Sequence, residues 1–444
     1  MFTRIFIDNF LGISAPVKFD FISQSRNKDK LNSVIKIEDG IYVNKLIGII
    51  GGNASGKTSI LTAINMIGQI LTSPILQFDL NDKMNSIREL LEKDNNIEDR
   101  KLLRDMIDSI NSSTDIAVQN LRRKDEDTKI EVEMYITSND EELTGYYTYK
   151  VKLNGKSKKI KNEFLGFRKK FKDKNETIIQ IENAKEGQVY YINRFFRNIT
   201  DIDKENRTEL ERKYKYCKIF VEHYIKNSAT IDTSEDCNYR DLKYIDWYKK
   251  SPESLRTLVR VIDPKIKDVK IENDSKYEEL VFVLKDGSNI TRSMLSTGTE
   301  RFLNLIRYVN EIIDKNGVLA IDEIEQNLHK DLVELIIKLF SEMTNKNAQI
   351  IFTTLSPEIF DIVDENNKKI FKQDTIFIIN CDSDDIQIDK LIDLQIDGAR
   401  VNGDASVANL YKRKKISCHP DKEQIDLFLS NFKNNTIDFW IVSR

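Results

Sequence analysis

The chain has 444 residues, of which 40% are hydrophobic and 32% are charged, and its formal net charge is −3. This composition can build a sizeable core, in two domains or in one large domain with an insertion. The 69 basic and 72 acidic residues nearly balance, which argues against a protein that coats nucleic acid with its whole surface. No apolar run approaches the ~18 residues needed to cross a membrane, so we expect a cytoplasmic protein without a membrane partner.

Cysteine usage gives no sign of a metal or disulfide framework. The four cysteines show no C-x-x-C spacing, and the chain has only three histidines. We therefore expect free thiols in a reducing cytoplasm and no zinc site.

The first strong pattern is a strand, a glycine-rich loop and a helix in direct succession. An apolar run from Lys45 to Ile50 predicts a buried strand, and residues 51–58 then read G-G-N-A-S-G-K-T. This matches the phosphate-binding pattern G-x-x-x-x-G-K-[S/T]. The next apolar residues recur at helical spacing: Ile60, Ala63, Ile64 and Ile67.

The residue types in this loop suit a nucleoside triphosphate. Glycines let backbone N–H groups turn toward phosphates, and the helix N-terminus adds a favourable dipole. We expect the Lys57 ammonium to contact the β- and γ-phosphates, and the Thr58 hydroxyl to ligate Mg²⁺. The predicted nucleotide-binding set is Gly51, Asn53, Ala54, Ser55, Gly56, Lys57, Thr58 and Ser59.

A long, charged segment follows before the next motif. Residues 81–125 and 205–227 are helix-prone, and residues 128–153 alternate as a β-hairpin. Residues 152–174 hold ten basic side chains interleaved with Phe164, Phe167 and Phe171. This stretch is either a solvated face whose phenylalanines reach the core, or a surface for DNA or an acidic partner.

Further along, residues 295–300 read L-S-T-G-T-E and open an amphipathic helix. The free N–H groups at this helix start, with Ser296 and Gly298, make a second candidate anion site. The helix leads toward residues 317–323, an apolar strand that ends in two carboxylates. Asp322 is predicted to hold Mg²⁺, and Glu323 to act as the general base on the attacking water.

The order of these motifs resembles that of ABC-type ATPases. Residues 296–299 look like the ABC signature, and the resemblance implies that Ser296, Gly298 and Thr299 contact ATP held by a second subunit. Residues 322–329 resemble the D-E-x-E-x-x-L-H stretch of a bacterial branch with OLD-like proteins, abortive-infection ATPases and the ATPase subunits of the Septu and PARIS anti-phage systems. The resemblance places Asn327 and His329 at D-loop positions.

One position departs from this family pattern. The family usually has a switch histidine before Ser-Pro, and Leu355 stands there in this chain. Leucine cannot hydrogen-bond to a phosphate or to water, so ATP binding is the firmer prediction and turnover the weaker one.

We therefore predict an α/β fold: an ABC-type P-loop ATPase head with a mixed sheet, interrupted by a helical and β insertion. The head comprises residues 1–80 and 258–400, the insertion 81–257 with a helical arm and a lateral β-sheet, and the helical tail 401–444. The leading functional hypothesis is an ATP- and Mg²⁺-dependent ATPase of an anti-phage system, dimeric or larger through an ATP sandwich, that controls a separate nuclease or toxin effector. The alternatives are a RecF- or SMC-like DNA-maintenance ATPase and a non-hydrolysing scaffold.

Overall fold

The structure is a computed structural model. It describes residues 1–13, 15–23, 33–53, 55–68, 70–71, 126–155, 160–182, 207–231, 242–274, 277–342, 346–380, 387–396, 398–401, 405–416, 425–427 and 430. The predicted helical arm at 81–125 and most of the predicted tail lie outside these residues. None of the helices in the described ranges is both long and apolar enough to span a membrane.

A six-stranded mixed sheet, called the head sheet here, contains the P-loop strand. Its order is β10-β14-β15-β5-β16-β17, in which only the last pairing is antiparallel. The strands are β5 (Leu46–Ile50), β10 (Ser228–Ile231), β14 (Val318–Ile321), β15 (Gln349–Thr354), β16 (Ile376–Asn380) and β17 (Gln387–Lys390). Strands β5, β14 and β15 are buried along their whole length, as expected for parallel strands covered on both faces.

A second six-stranded sheet, called the lateral sheet, is antiparallel throughout, in the order β2-β1-β6-β7-β8-β9. Its strands are β1 (Phe2–Asp8), β2 (Val17–Asp20), β6 (Thr128–Ile136), β7 (Gly145–Leu153), β8 (Ile160–Arg168) and β9 (Glu176–Ile181). Strands β6 and β7 form the predicted hairpin.

Helices cover both faces of the head sheet. The main helices of the structure are α1 (residues 57–68), α2 (Arg207–Asn227), α3 (Leu242–Lys250), α4 (Pro252–Ile262), α5 (Thr297–Lys315), α6 (Lys330–Glu342) and α7 (Val407–Lys412), of which α3 and α4 pack on a smaller sheet. On one face, α1 and α2 share a core with the lateral sheet, and the Tyr224 hydroxyl of α2 donates to the Ile64 carbonyl of α1 at 2.8 Å. On the other face, α5 and α6 pack in a separate core.

Three smaller sheets complete the described fold. Strands β11 (Ile266–Asp274), β12 (Tyr277–Leu284) and β13 (Asn289–Thr291) form an antiparallel sheet that packs on α3 and α4 and leads into α5. The two others are the hairpins β3 (Val34–Glu38) with β4 (Ile41–Asn44), and β18 (Gln395–Ile396) with β19 (Ala399–Arg400).

The fold prediction of an α/β ATPase head with a mixed sheet and an interrupting β segment is confirmed. The two sheets nevertheless exchange segments across the predicted boundaries. Strand β1, from the range predicted as head, pairs with β6 of the lateral sheet. Strand β10, from the range predicted as insertion, pairs in parallel with β14 of the head sheet. Both exchanges depend on pairing between strands far apart in sequence, which local patterns do not encode.

Candidate functional site

The P-loop lies between β5 and α1, as the strand–loop–helix pattern predicts. Gly56 has a φ of 91°, a left-handed conformation that favours glycine. A Cβ atom at Gly51 would lie 2.4 Å from the Ser55 hydroxyl oxygen, so the loop closes tightly on itself there. Asn53 is exposed and Ser55 is buried, whereas Ala54 lies outside the described residues.

Lys57 is buried, and its ammonium group is turned back onto the loop. It donates to the carbonyl oxygens of Gly51 at 2.9 Å and Gly52 at 2.7 Å. Burial lowers the pKa of Lys57 from its usual 10.5, and nearby carboxylates act in the opposite direction, in decreasing order those of Glu323, Asp322 and Glu325. The lysine therefore faces the acidic turn that follows β14, which spans residues 322–327.

Thr58 and Asp322 meet directly, although they are 264 positions apart. The Thr58 hydroxyl donates to one carboxylate oxygen of Asp322 at 2.7 Å, and the Thr353 hydroxyl donates to the other. Asp322 is buried, and its backbone N–H donates to the Ile231 carbonyl at the end of β10. The predicted Mg²⁺ ligands thus lie side by side, Thr58 after β5 and the P-loop and Asp322 after β14, with β15 between these two strands.

Glu323 has a left-handed backbone with φ of 44°. Such a conformation costs a non-glycine residue about 1 kcal/mol or more and needs support from its surroundings. Its N–H donates to the Thr353 hydroxyl at 2.8 Å, and its carbonyl accepts from the Arg301 guanidinium at 3.2 Å. Strand β15, through Thr353, and helix α5, through Arg301, therefore both hold the backbone of the predicted base.

The signature loop, residues 295–299, lies against the same acidic turn. Ser296 caps α5 by accepting from the Thr299 N–H at 3.1 Å. A Cβ atom at Gly298 would lie 2.8 Å from the Asn327 carbonyl oxygen, so a glycine is needed for this close approach. Among the described contacts, no hydrogen bond joins Ser296 or Gly298 to the P-loop of the same chain.

The remaining predicted site residues differ in their exposure and in their hydrogen bonds. Asn327 is exposed and left-handed, with φ of 56°. His329 is also exposed and accepts from the Asp331 N–H at 3.4 Å. Ser59 lies inside α1, where its hydroxyl accepts from the Gly12 N–H at 3.3 Å. Leu355 donates its backbone N–H to a Glu325 carboxylate oxygen at 2.6 Å.

The side chains of the P-loop and of the acidic turn fit ATP with Mg²⁺. Thr58 and Asp322 supply the hard oxygen ligands that Mg²⁺ prefers. The buried Ser55 hydroxyl has no hydrogen-bond partner among the described residues, so a polar group remains available for a phosphate. Among the described contacts, the Lys57 ammonium donates to two neutral carbonyl oxygens. A charged phosphate oxygen is a stronger hydrogen-bond acceptor for a cation than a neutral carbonyl oxygen.

Three of the ten basic residues at 152–174 pair with carboxylates of the lateral sheet: Lys152, Lys161 and Arg168. Lys152 and Lys161 both pair with Asp127 at 2.9 Å. Phe167 is buried in the core, and Arg168 is buried against Glu133 at 2.6 Å. The exposed basic residues lie on the turn after β8: Lys169, Lys170, Lys172 and Lys174.

The family comparison agrees with this geometry. A protein-family model described as "AAA domain, putative AbiEii toxin, Type IV TA system" matches residues 46–361 of the 444. This chain belongs to that AAA-domain family. The matched range runs from the P-loop strand to just beyond the switch position, and so contains every residue of the site described above.

Distant likenesses to solved structures also exist. One is the SmcHead bound to the C-winged helix domain of ScpA, with 12% identity, 87% of this chain and 97% of that chain covered, and a TM-score of 0.44. Another is the SMC head domain from Thermotoga maritima, with 11% identity, coverage of 88% and 98%, and a TM-score of 0.38. A third, the Smc head with an extended coiled coil bound to the C-terminal domain of ScpA from Pyrococcus furiosus, has 11% identity, coverage of 87% and 95%, and a TM-score of 0.39. No curated protein matches this chain.

Three residues of this AAA-domain site were not predicted from the sequence. Thr353 touches both Asp322 and Glu323, Arg301 touches the backbone of the acidic turn, and Glu325 holds Leu355. Two of these residues could have been found from the sequence. Thr353 is a hydroxyl residue near the end of a buried strand, and Glu325 is a third acid in the turn after Asp322 and Glu323. Nothing local in the sequence distinguishes Arg301 from other arginines of an amphipathic helix.

Proposed function

We propose that this chain is an ATPase that binds ATP with Mg²⁺ and hydrolyses it between two copies arranged head to tail. The observation that carries this proposal is the direct contact between Thr58 and Asp322, with Glu323 following immediately. Membership of the AAA-domain family supports nucleotide hydrolysis as the general activity. The exposed signature serine, which shares no hydrogen bond with the described residues of its own P-loop, supports the dimer.

Each part of the proposed reaction has a residue in this chain. ATP bound with Mg²⁺ supplies the phosphoanhydride bond that is cleaved. Lys57 neutralises phosphate charge, while Thr58 and Asp322 hold the metal. Glu323 would take a proton from the attacking water, whose oxygen bonds to the γ-phosphorus as the bond to the β–γ bridging oxygen breaks, so that ADP and inorganic phosphate leave. The signature loop of the second copy would close the site.

We further propose that the ATP state of the dimer controls a separate effector, a nuclease or a toxin, in a bacterial anti-phage system. The D-E-x-E-x-x-L-H resemblance of residues 322–329 and the words "putative AbiEii toxin" in the family description support this role. Phage plating tests it. Cells that carry this chain with its neighbouring genes should reduce plaque formation, and Lys57→Ala should abolish the protection. Equal plating with and without the genes would contradict the role.

The biochemical test is steady-state ATP turnover with Mg²⁺, beside Lys57→Ala and Glu323→Gln. We expect Lys57→Ala to weaken ATP binding by at least about 100-fold, since it loses the buried cation that faces the phosphates. Glu323→Gln should lower turnover by at least about 100-fold and leave binding intact. Light scattering should then detect an ATP-dependent dimer of Glu323→Gln that Ser296→Ala weakens.

Two other results would favour the alternatives. Tight ATP binding without turnover in the wild type would favour the ATP-locked scaffold. DNA-stimulated turnover that falls with salt, and with loss of Lys169, Lys170, Lys172 and Lys174, would favour DNA maintenance. The pairing of Lys152 and Lys161 with Asp127 weakens that second alternative.

A further inference from the structure

Arg301 joins α5, the helix that begins at the signature loop, to the acidic turn. It lies five residues after Ser296 and is partly buried. Its guanidinium Nη2 donates to the Glu323 carbonyl at 3.2 Å and to the Asp322 carbonyl at 3.5 Å. A hydrogen bond from a cation is about twice as strong as a neutral one. The first turns of α5 are therefore tied to the backbone that carries the predicted base.

The backbone that Arg301 contacts is strained. Glu323 is left-handed, with φ of 44°, a conformation that a non-glycine residue keeps only where its surroundings hold it. Its N–H is held by the Thr353 hydroxyl, and its carbonyl accepts from Arg301 and from the Gln326 N–H at 2.8 Å. The direction of the Glu323 side chain therefore depends on these contacts.

The start of α5 meets the acidic turn at a second point. Gly298 lies so close to the Asn327 carbonyl oxygen that a Cβ atom there would be only 2.8 Å away. Ser296 caps α5 through the Thr299 N–H, so the signature loop and the first turn of the helix form one unit. Because close-packed groups leave no room for independent movement, a shift of the signature loop moves the acidic turn as well.

We propose that Arg301 is a positioning residue through which α5 sets the direction of the Glu323 carboxylate. The inference rests on the proposed function, in which the signature loop of each copy contacts the ATP held by the other copy. Contact with that ATP fixes α5, and Arg301 then fixes Glu323 of the same chain, which serves the ATP on its own P-loop. The base at one site is thus placed by the nucleotide at the other site.

Arg301→Met and Arg301→Lys test the positioning role. Methionine keeps a long side chain without an N–H donor, whereas lysine keeps the cation and can still donate to a carbonyl. We expect Arg301→Met to lower kcat at least about tenfold, because a misplaced catalytic group loses rate steeply, with KM and the ATP dissociation constant within about threefold. Arg301→Lys should lose only about threefold in kcat. Lys315→Met, an exposed cation at the other end of α5, is the matched control and should change turnover less than about twofold.

Mixed dimers test through which chain Arg301 acts. An active copy is mixed with a large excess of Glu323→Gln before ATP is added, and the first turnover is measured, so that only the site on the active copy's own P-loop contributes. Arg301→Met in the active copy should slow this turnover at least about tenfold, since it lies in the same chain as the working Glu323. The same substitution in the inactive copy should change it less than about threefold.

Ser296→Ala in the active copy tests the dependence of one site on the other. In the proposed dimer this serine contacts only the ATP of the inactive copy, yet we expect the first turnover at the active site to slow at least about threefold. Adding Arg301→Met to the same copy should remove this extra effect, because residues that act through one another are not additive.

Wild-type kcat in folded Arg301→Met would overturn the inference. Equal losses with Arg301→Met in either copy would also overturn it, because the arginine would then act on the second copy's ATP or on dimer formation. A Ser296→Ala effect that persists in full beside Arg301→Met would overturn the dependence of one site on the other. These results leave the proposed ATPase standing, whereas a wild type without turnover would remove the proposed function and this inference with it. If Arg301→Met does not fold, Arg301→Lys takes its place, and its loss must again appear only in the active copy.

Discussion

The head sheet and the lateral sheet place their polar side chains differently. In the head sheet, strands β5, β14 and β15 are fully buried, and the polar groups of the candidate site lie toward or just after their carboxyl ends, at the P-loop, Asp322 and Thr353. In the lateral sheet, Glu133 and Arg168 lie within strands and pair with each other at 2.6 Å.

The partners of the charged groups differ accordingly. Glu133 also accepts from the Thr3 and Thr148 hydroxyls, at 2.8 Å and 3.3 Å. The Arg168 Nε, the Tyr146 hydroxyl and the Asn162 side-chain oxygen of the same sheet are buried without a hydrogen-bond partner among the described residues. In the head, the hydroxyl of Ser55 and one oxygen of Glu325 have no partner among the described residues. Unpartnered buried polar atoms thus occur in both regions. What differs is where the charged groups lie: within the strands of the lateral sheet, and after the strand ends at the candidate site of the head sheet.

The largest expected effect comes from breaking the buried pair of the lateral sheet. Arg168→Met removes the nearer cation of the buried Glu133 carboxylate and leaves only the longer Arg4 contact at 3.7 Å, which should cost about 3 kcal/mol of unfolding free energy. Urea unfolding measures this loss, and the ATP affinity of the folded protein should change less than about threefold. Adding Glu133→Gln should recover more than half of the stability. A loss below about 1 kcal/mol would contradict the structural role of the pair.

A smaller effect is expected at the joint between the two regions. Gln349, at the start of β15, is buried; its side chain accepts from the Phe2 N–H at 2.9 Å and donates to the carbonyls of Phe2 and Asn44. Gln349→Leu keeps the volume and leaves these backbone groups unpaired, at a cost of about 1–3 kcal/mol.

Turnover of Gln349→Leu tests whether the lateral sheet influences the candidate site of the head sheet. We expect kcat within about threefold of the wild type, because Thr353 and Asp322 lie at the opposite end of the strands. Gln387→Leu, on the exposed end of β17, is the matched control and should change neither stability nor turnover. A tenfold loss of turnover would mean that the lateral sheet is coupled to the site through β15.

The smallest effect is expected at Asp127 in the lateral sheet. Partial burial opposes ionisation, but hydrogen bonds from Lys152, Lys161 and the Gly155 N–H lower the pKa of Asp127 to about 2. A lowered carboxyl pKa stabilises the fold above the unfolded value of 3.8, and this stabilisation disappears as the pH falls toward about 2. Asp127→Asn should therefore cost about 1 kcal/mol or less at pH 7, and less still below pH 3.

Urea unfolding across pH 2–7 measures this difference, with Glu358→Gln as the control for a distant carboxylate. A stability difference between wild type and Asp127→Asn that stays constant down to pH 2 would contradict the pKa shift. It would mean that Asp127 acts through packing and not through its charge.

Local pattern predicted much of the head and part of the lateral sheet. The apolar face of α5 is buried as its spacing predicts, and the β6–β7 hairpin forms from alternating residues. Helix α2 lies where residues 205–227 were predicted to be helical. These elements are encoded by side chains within a few residues of one another, so periodicity identifies them.

The sequence by itself determined the P-loop, the acid pair after β14 and the capped start of α5, because each depends on neighbouring residue types. Only the tertiary structure decided that β1 joins the lateral sheet and β10 the head sheet. It also decided the contacts of Thr353, Arg301 and Glu325 around the acidic turn. Those contacts join residues 22 to 31 positions apart, where the partner is chosen by sheet order and packing and not by spacing along the chain.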